Sequence, residues 1–161
     1  MPLTLNLRHL EKKDVQLQGD LTVEELDLAG FDELIEVSEP LHYDLGAERM
    51  SDSVLVRGTL TCVLKCQCVR CLTEFSHQVE LMDWACDLPL TGEDRVPVVN
   101  DCVDLTPYLR EDILLAFPQH PLCEPGCPGL PEAARNDLSA RVEEPNGIPP
   151  SAWTELNKLK F

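Results

Sequence analysis

The chain contains no run of about 18 apolar residues, the minimum for a helix that spans a bilayer. Nor does it open on a basic stretch followed by an apolar one. Met1-Pro2-Leu3-Thr4-Leu5-Asn6-Leu7 alternates instead, which predicts no secretory leader and a reducing, cytoplasmic setting. Basic residues are scarce, 13 against 29 acidic ones, for a formal charge of −16. Indiscriminate binding to nucleic-acid phosphates requires a basic footprint and is disfavoured. Gly-rich phosphate loops and the G-x-S-x-G elbow of hydrolases are missing. His9, His42, His77 and His120 are scattered rather than grouped with a nucleophile. Nothing in the sequence argues for an enzyme.

What is present begins with length. At 161 residues the chain is one domain with room for an appendage, and a domain near this size buries roughly 68–70% of its unfolded surface. A core can form without cross-links, so the eight cysteines are expected to be thiols or metal ligands rather than disulfides. The acids are concentrated. Residues 11–52 hold 13 acids against Lys12, Lys13 and Arg49. Such a stretch is either a solvated face or a surface that meets something basic. Glu24, Glu25, Asp27, Asp32, Glu33 and Glu36 are its candidate partner-binding residues.

Leu3, Leu5 and Leu7 share one face of a short strand, and Val15, Leu17 and Gly19 suggest a second extended piece. Thr22-Val23-Glu24-Glu25 has the form of a capping box and predicts a short helix to Leu28, stopped by Gly30. Phe31, Leu34, Ile35 and Val37 fit either a helical turn or a strand. Leu41, Tyr43 and Leu45 alternate again, and Gly46 to Ser53 reads as a turn. The clearest pattern runs from Val54 to Cys66, where Val54, Val56, Gly58, Leu60, Cys62, Leu64 and Cys66 share one face. Phe75 to Trp84 is expected to return antiparallel, and Asp87 to Asp101 to form a loop. Thr106 as cap and Pro107 at the first position open a helix striped by Leu105, Leu109, Ile113 and Ala116 and ended by Pro118. Between Pro118 and Pro150 the composition changes, with eight of the 13 prolines. Ser151 caps a final short helix bearing Trp153, Leu156 and Leu159.

The segment Cys66-Gln67-Cys68-Val69-Arg70-Cys71 sits at the tip of the long hairpin. Three readings of its thiols stay open. In one, Cys68 and Cys71 join Cys123 and Cys127 in a structural Zn²⁺ site, with four soft ligands and no open position. The metal would then pin the Pro-rich segment to the hairpin. Cys66, or His120 three residues before Cys123, would be a substitute ligand. In another, Cys68 and Cys71 are a redox pair of the thioredoxin kind, which requires a helix N-terminus at the first thiolate. In the last, all are reduced thiols without metal. Cys62 is most simply a small core residue, and Cys86 and Cys102 read as structural or exposed. Arg57, Lys65 and Arg70 are the local basic residues near the knuckle and candidate RNA contacts.

These residues also carry a resemblance. Gly58 leading into Cys68-Val-Arg-Cys71-Leu72 and Phe75, then Val103-Asp104-Leu105, Glu111-Asp112-Ile-Leu-Leu, Phe117-Pro118 and Pro121-Leu122-Cys123-Glu-Pro-Gly-Cys127-Pro-Gly129-Leu130, resemble the YceD-type family. These are the large ribosomal RNA subunit accumulation proteins. The likeness covers roughly residues 41–138 and returns at Trp153 to Leu159. It departs where many members carry a later C-x2-C-G, since Pro131 and Ala134 stand there. It departs again at Leu138-Ser139, where Leu-Asn is usual, and at Pro149-Pro150-Ser151, where Asp-Pro-Arg is usual. The resemblance implies a role in synthesis, processing or stability of large-subunit ribosomal RNA. It also implies, as partner, a precursor subunit or a basic ribosomal protein, because the gene commonly neighbours that of a small zinc-ribbon ribosomal protein. The rival readings are a metal-stapled interaction module for another basic protein and a thiol oxidoreductase.

For the fold the patterns predict α+β, with an antiparallel sheet of about five or six strands and two or three helices. Residues 1–117 are expected to form the core domain with the cysteine knuckle. Residues 118–161 are expected to form a Pro- and Cys-containing tail that docks on it and ends in a short helix, with zinc pinning it if the first reading of the thiols holds.

Overall fold

The computed structural model describes residues 2–132 and residue 134. The first of its two compact units is Met1–Cys127 and the second Pro128–Phe161. Residues 118–127, given to the tail on composition, thus belong to the unit that holds the sheet. The expected helix around Trp153 lies outside the described residues.

The elements run β1 (Thr4–Asn6), α1 (Leu7–Leu10), β2 (Val15–Leu21), β3 (Ile35–Val37), β4 (Leu41–Arg49), β5 (Ser53–Gln67), β6 (Glu74–Pro89), β7 (Cys102–Asp104) and α2 (Thr106–Leu115). Strict alternation makes β5 the centre. Its inward residues Val54, Val56, Leu60, Cys62, Leu64 and Cys66 are at most 3% exposed. One edge of β5 is shared, with β4 pairing from Val54 to Thr61 and β3 from Leu64 to Cys66. The other edge pairs with β6 from end to end. β2 pairs with the far side of β4, which completes a five-stranded antiparallel sheet. A second, two-stranded sheet joins β1 to β7. α2 buries Leu109 and Ile113 in the same core as Leu5 and Leu60. Trp84 Nε1 donates to Asp112 Oδ2 at 2.6 Å, which ties β6 to α2.

Several local expectations shift. The capping box at Thr22 forms, with Thr22 N–H donating to Glu25 Oε2 and Glu25 N–H to Thr22 Oγ1, but it closes a single turn rather than a helix. Asp27 takes φ 50°, and the bonds Leu28 N–H to Val23 O and Asp27 N–H to Glu24 O are a Schellman ending. Residues 35–37 settle as strand. Gly46 is no turn, because β4 continues through buried Ala47 to Arg49. The turn is confined to residues 50–52. β6 runs past the expected Trp84 to Pro89. Thr106 does not cap α2. Its Oγ1 accepts from Leu3 N–H at 2.9 Å, and the Asp104 carboxylate receives the Thr106 N–H instead.

Candidate metal centre

The β5–β6 hairpin turns through residues 68–73. Cys68 N–H donates to Thr73 O, and Leu72 N–H to Cys68 O. Leu72 holds φ 61°, the left-handed geometry that folds such a tight loop. Gln67 Nε2 braces it from Leu72 O. The downstream segment is bonded onto this loop, since Val69 N–H donates to Pro121 O at 3.0 Å. Arg70 Nη1 reaches Cys127 O at 3.1 Å. Cys127 N–H closes its own turn on Glu124 O.

These bonds gather Cys68, Cys71, Cys123 and Cys127, whose sulfurs all lie within 4.8 Å of one another. Cys68 Sγ lies 3.7 Å from Cys127 Sγ, and Cys71 Sγ 3.6 Å from Cys123 Sγ. Both are far longer than a disulfide bond. They match the edge of a tetrahedron about a metal with M–S near ~2.3 Å, which is roughly 3.8 Å. Cys68 and Cys127 are buried, Cys71 half-buried and Cys123 exposed. The four thiols can hold a metal ion, and four protein ligands leave no position open for a reacting water.

The surroundings split the thiols, favouring the thiolate at Cys68 and Cys71 and the thiol at Cys123. Burial opposes the Cys68 thiolate, but hydrogen bonds from the backbone at Cys123, Cys71 and Arg70 and from the Cys71 side chain bring it down to about 6. Thr73, through side chain and backbone, holds Cys71 below its ordinary value against burial and the Cys68 thiol. The Cys71 side chain, then burial and the neighbouring thiols, push Cys123 up to about 12. Of these three thiols, Cys68 gives up its proton first and Cys123 holds its proton longest. Cys62, buried in the core, is pushed up to about 11 and is an inert thiol.

The substitute ligands are not needed: Cys66 is buried on the core face of β5, and His120 is exposed and outside the cluster. No helix begins at Cys68, so the helix dipole of a thioredoxin-like pair is missing. The three basic candidates do not gather. Arg57 and Lys65 are eight positions apart along β5, roughly 26 Å at strand rise. Arg57 pairs with Glu48 at 2.6 Å, and Arg70 is turned onto Cys127 O. Among the acids, Glu25 caps Thr22, Asp27 lies 3.6 Å from Arg110 Nη2, and Asp32 Oδ1 accepts from Leu34 N–H. Glu24 is exposed on the turn. Glu33 and Glu36 line a cleft shared with Glu74 and Lys65. Thr73 was not singled out from the sequence. Its place two residues after Cys71 was the available signal.

The sequence model of the large ribosomal RNA subunit accumulation protein YceD family matches residues 56–160. The chain belongs to that family. All four clustered cysteines fall inside the match, whereas Glu24, Glu25, Asp27, Asp32, Glu33 and Glu36 precede it. An uncharacterized protein of Mycobacterium leprae is 29% identical over 78% of this chain and 62% of its own length. An uncharacterized protein of Mycobacterium tuberculosis is 35% identical over 56% of this chain and 47% of its own. The chain thus spans about half to under two thirds of the curated relatives it matches. No solved structure matches it.

Proposed function

We propose that this chain is a non-enzymatic, cytoplasmic factor in the synthesis, processing or stability of large-subunit ribosomal RNA. It acts by holding a basic protein of the large subunit, or a precursor carrying one, through acidic surface. Membership of the YceD family is the observation that carries this reading. The charge of −16 and the dispersed, partly engaged basic residues favour a protein contact over an RNA one. The four thiols hold a structural Zn²⁺. Four sulfurs at tetrahedral spacing suit zinc or iron, and zinc adds no redox chemistry to a site whose bonds are all scaffold. The ion would fix residues 121–127 to the hairpin tip.

Sedimentation of lysate at low salt, with and without RNase, tests the reading. Part of the protein is expected with free large subunits or their precursors. Confinement to the top of the gradient under gentle salt removes it, and leaves a metal-stapled module for some other basic protein. Reversal of Glu24, Glu33 and Glu36 to Lys is expected to weaken capture of the partner. Unchanged capture would exclude that part of the surface.

A further inference from the structure

Among the described residues, β6 pairs with β5 alone. The bonding direction fixes which groups its free edge presents. Gln67 N–H donates to Leu34 O, away from β6, while Cys68 N–H donates to Thr73 O, toward it. Bonding direction alternates along an antiparallel strand. Leu60, Cys62, Leu64 and Cys66 therefore turn their backbone to Leu81, Val79, His77 and Phe75, their register partners. The backbone N–H and C=O groups of Glu74, Ser76, Gln78 and Glu80 point outward, and all four residues are exposed.

The side chains beside this edge are sorted. On the outer face stand Glu74 and Glu80, and beyond the bulge at Met82 and Asp83 stands Asp87. β6 contains no Lys or Arg. On the inner face Phe75 and Leu81 remain half-buried against the core, with the exposed His77 between them. Two copies of β6 laid edge to edge would bring carboxylate rows together, which is unfavourable. β2, the other long strand with a single neighbour among the described residues, has one carboxylate, Asp20, already bonded to His42 at 2.9 Å.

The geometry points to the outer edge of β6, from Glu74 to Leu81, as a docking site for an extended basic protein segment that adds to the sheet as a further strand. Backbone bonds to the outward groups supply the pairing, as in other strand additions. Lys or Arg at alternate positions meets Glu74 and Glu80, and apolar residues between them cover Phe75 and Leu81. The choice of a basic partner rests on the function proposed above, whereas the edge itself does not.

The test uses the full chain and an eight-residue peptide alternating Lys and Val, with a Glu-Val peptide and a backbone N-methylated Lys-Val peptide as controls. Hydrogen exchange is followed at the amides of Ser76, Gln78 and Glu80. The Lys-Val peptide is expected to protect these amides, and the two controls are not. Gln78→Pro removes one outward N–H at a position where an edge strand tolerates proline. It should weaken binding about tenfold or more, a loss of at least one decade in Kd. Glu74→Lys with Glu80→Lys, which leaves the backbone intact, should do the same. Binding that survives N-methylation is mere charge attraction and overturns the proposal. So does protection of these amides already in the free chain, which would mean that a second copy or another part of the chain fills the edge. Strand addition without any large-subunit sedimentation would keep this site and remove the ribosomal reading.

Discussion

Arg70 and Cys127, distant in sequence, are joined by a bond from the Arg70 guanidinium to the Cys127 carbonyl oxygen at 3.1 Å. Arg70, a candidate RNA contact by sequence, is here bonded to the turn that carries a ligand and orients it. Losing such an outer contact typically costs 10–100-fold in metal affinity. Arg70→Ala is therefore expected to weaken Zn²⁺ binding by about that factor while leaving one ion per chain at saturation. Competition with a chromophoric chelator reads it. Arg70→Lys should recover only part, because an ammonium lacks the planar fork. Unaltered affinity in Arg70→Ala would show the bond to be incidental.

The ligand set makes a sharper prediction. Cys68→Ser, Cys71→Ser, Cys123→Ser and Cys127→Ser should each lose tight zinc binding, while Cys62→Ala, Cys86→Ala and Cys102→Ala should retain one ion per chain. Cobalt added in place of zinc should give the visible bands of a tetrahedral thiolate, absent in the first group. Because the sheet has its own apolar core, chelation should lower Tm and open residues 118–127 to protease without unfolding β4–β6. A chain that unfolds wholly on chelation would mean that the metal, rather than this core, drives folding.

The long hairpin and its knuckle were legible because both rest on local rules. Period-two alternation marks β5, and C-x2-C marks a turn that presents two thiols. The second cysteine pair was legible by spacing alone. What escaped depended on tertiary detail. Thr22 and Glu25 bond as the pattern predicts, but the left-handed Asp27 ends the helix after one turn. Gly46 resembles a turn residue until Ala47 beside it is seen to be buried. Thr106 is a good cap by type, yet Leu3, 103 positions earlier in the chain, claims its hydroxyl. Arg57 and Lys65 are near in number, but extended backbone carries them far apart.

The pKa pattern at the site sets a pH dependence of fixed sign. In the metal-free chain Cys68 lies near 6, below its ordinary 9.0. Its stabilisation is present above pH 9 and lost as pH falls through 6, since the unfolded chain then holds the extra proton. Cys123, pushed up to about 12, acts in the opposite sense above pH 9, where the unfolded chain sheds its proton first. Zinc must expel the Cys123 proton, so affinity should rise with pH throughout the neutral range. Below about pH 6 the Cys68 proton competes as well, and the dependence should steepen. Chelator competition at a series of pH values measures the slope. A flat profile would mean that protons do not compete for these sulfurs.

Gly58 lies opposite Leu45 in β4, where the two backbones approach so closely that a Cβ would press into the Asp44 carbonyl. Here the neighbour is main chain, held by pairing on both sides, and it cannot turn away as a side chain would. On the other side of β5 the ladder is already offset, with the register shifting between Gly58 and Leu60. Gly58→Ala should therefore cost about 1–3 kcal/mol, the usual range for overpacking, and be visible as a lower urea midpoint with little change in slope. Gly92→Ala provides the contrast. Gly92 has φ 92° with open space around it, so its cost comes from backbone strain in a loop and leaves the pairing of β4 with β5 intact. Hydrogen exchange separates the two. Gly58→Ala should speed exchange at the β4–β5 ladder around Asp44 and Thr59, and Gly92→Ala should not. Equal protection of that ladder in both variants would show that β4 shifts to accommodate the methyl group.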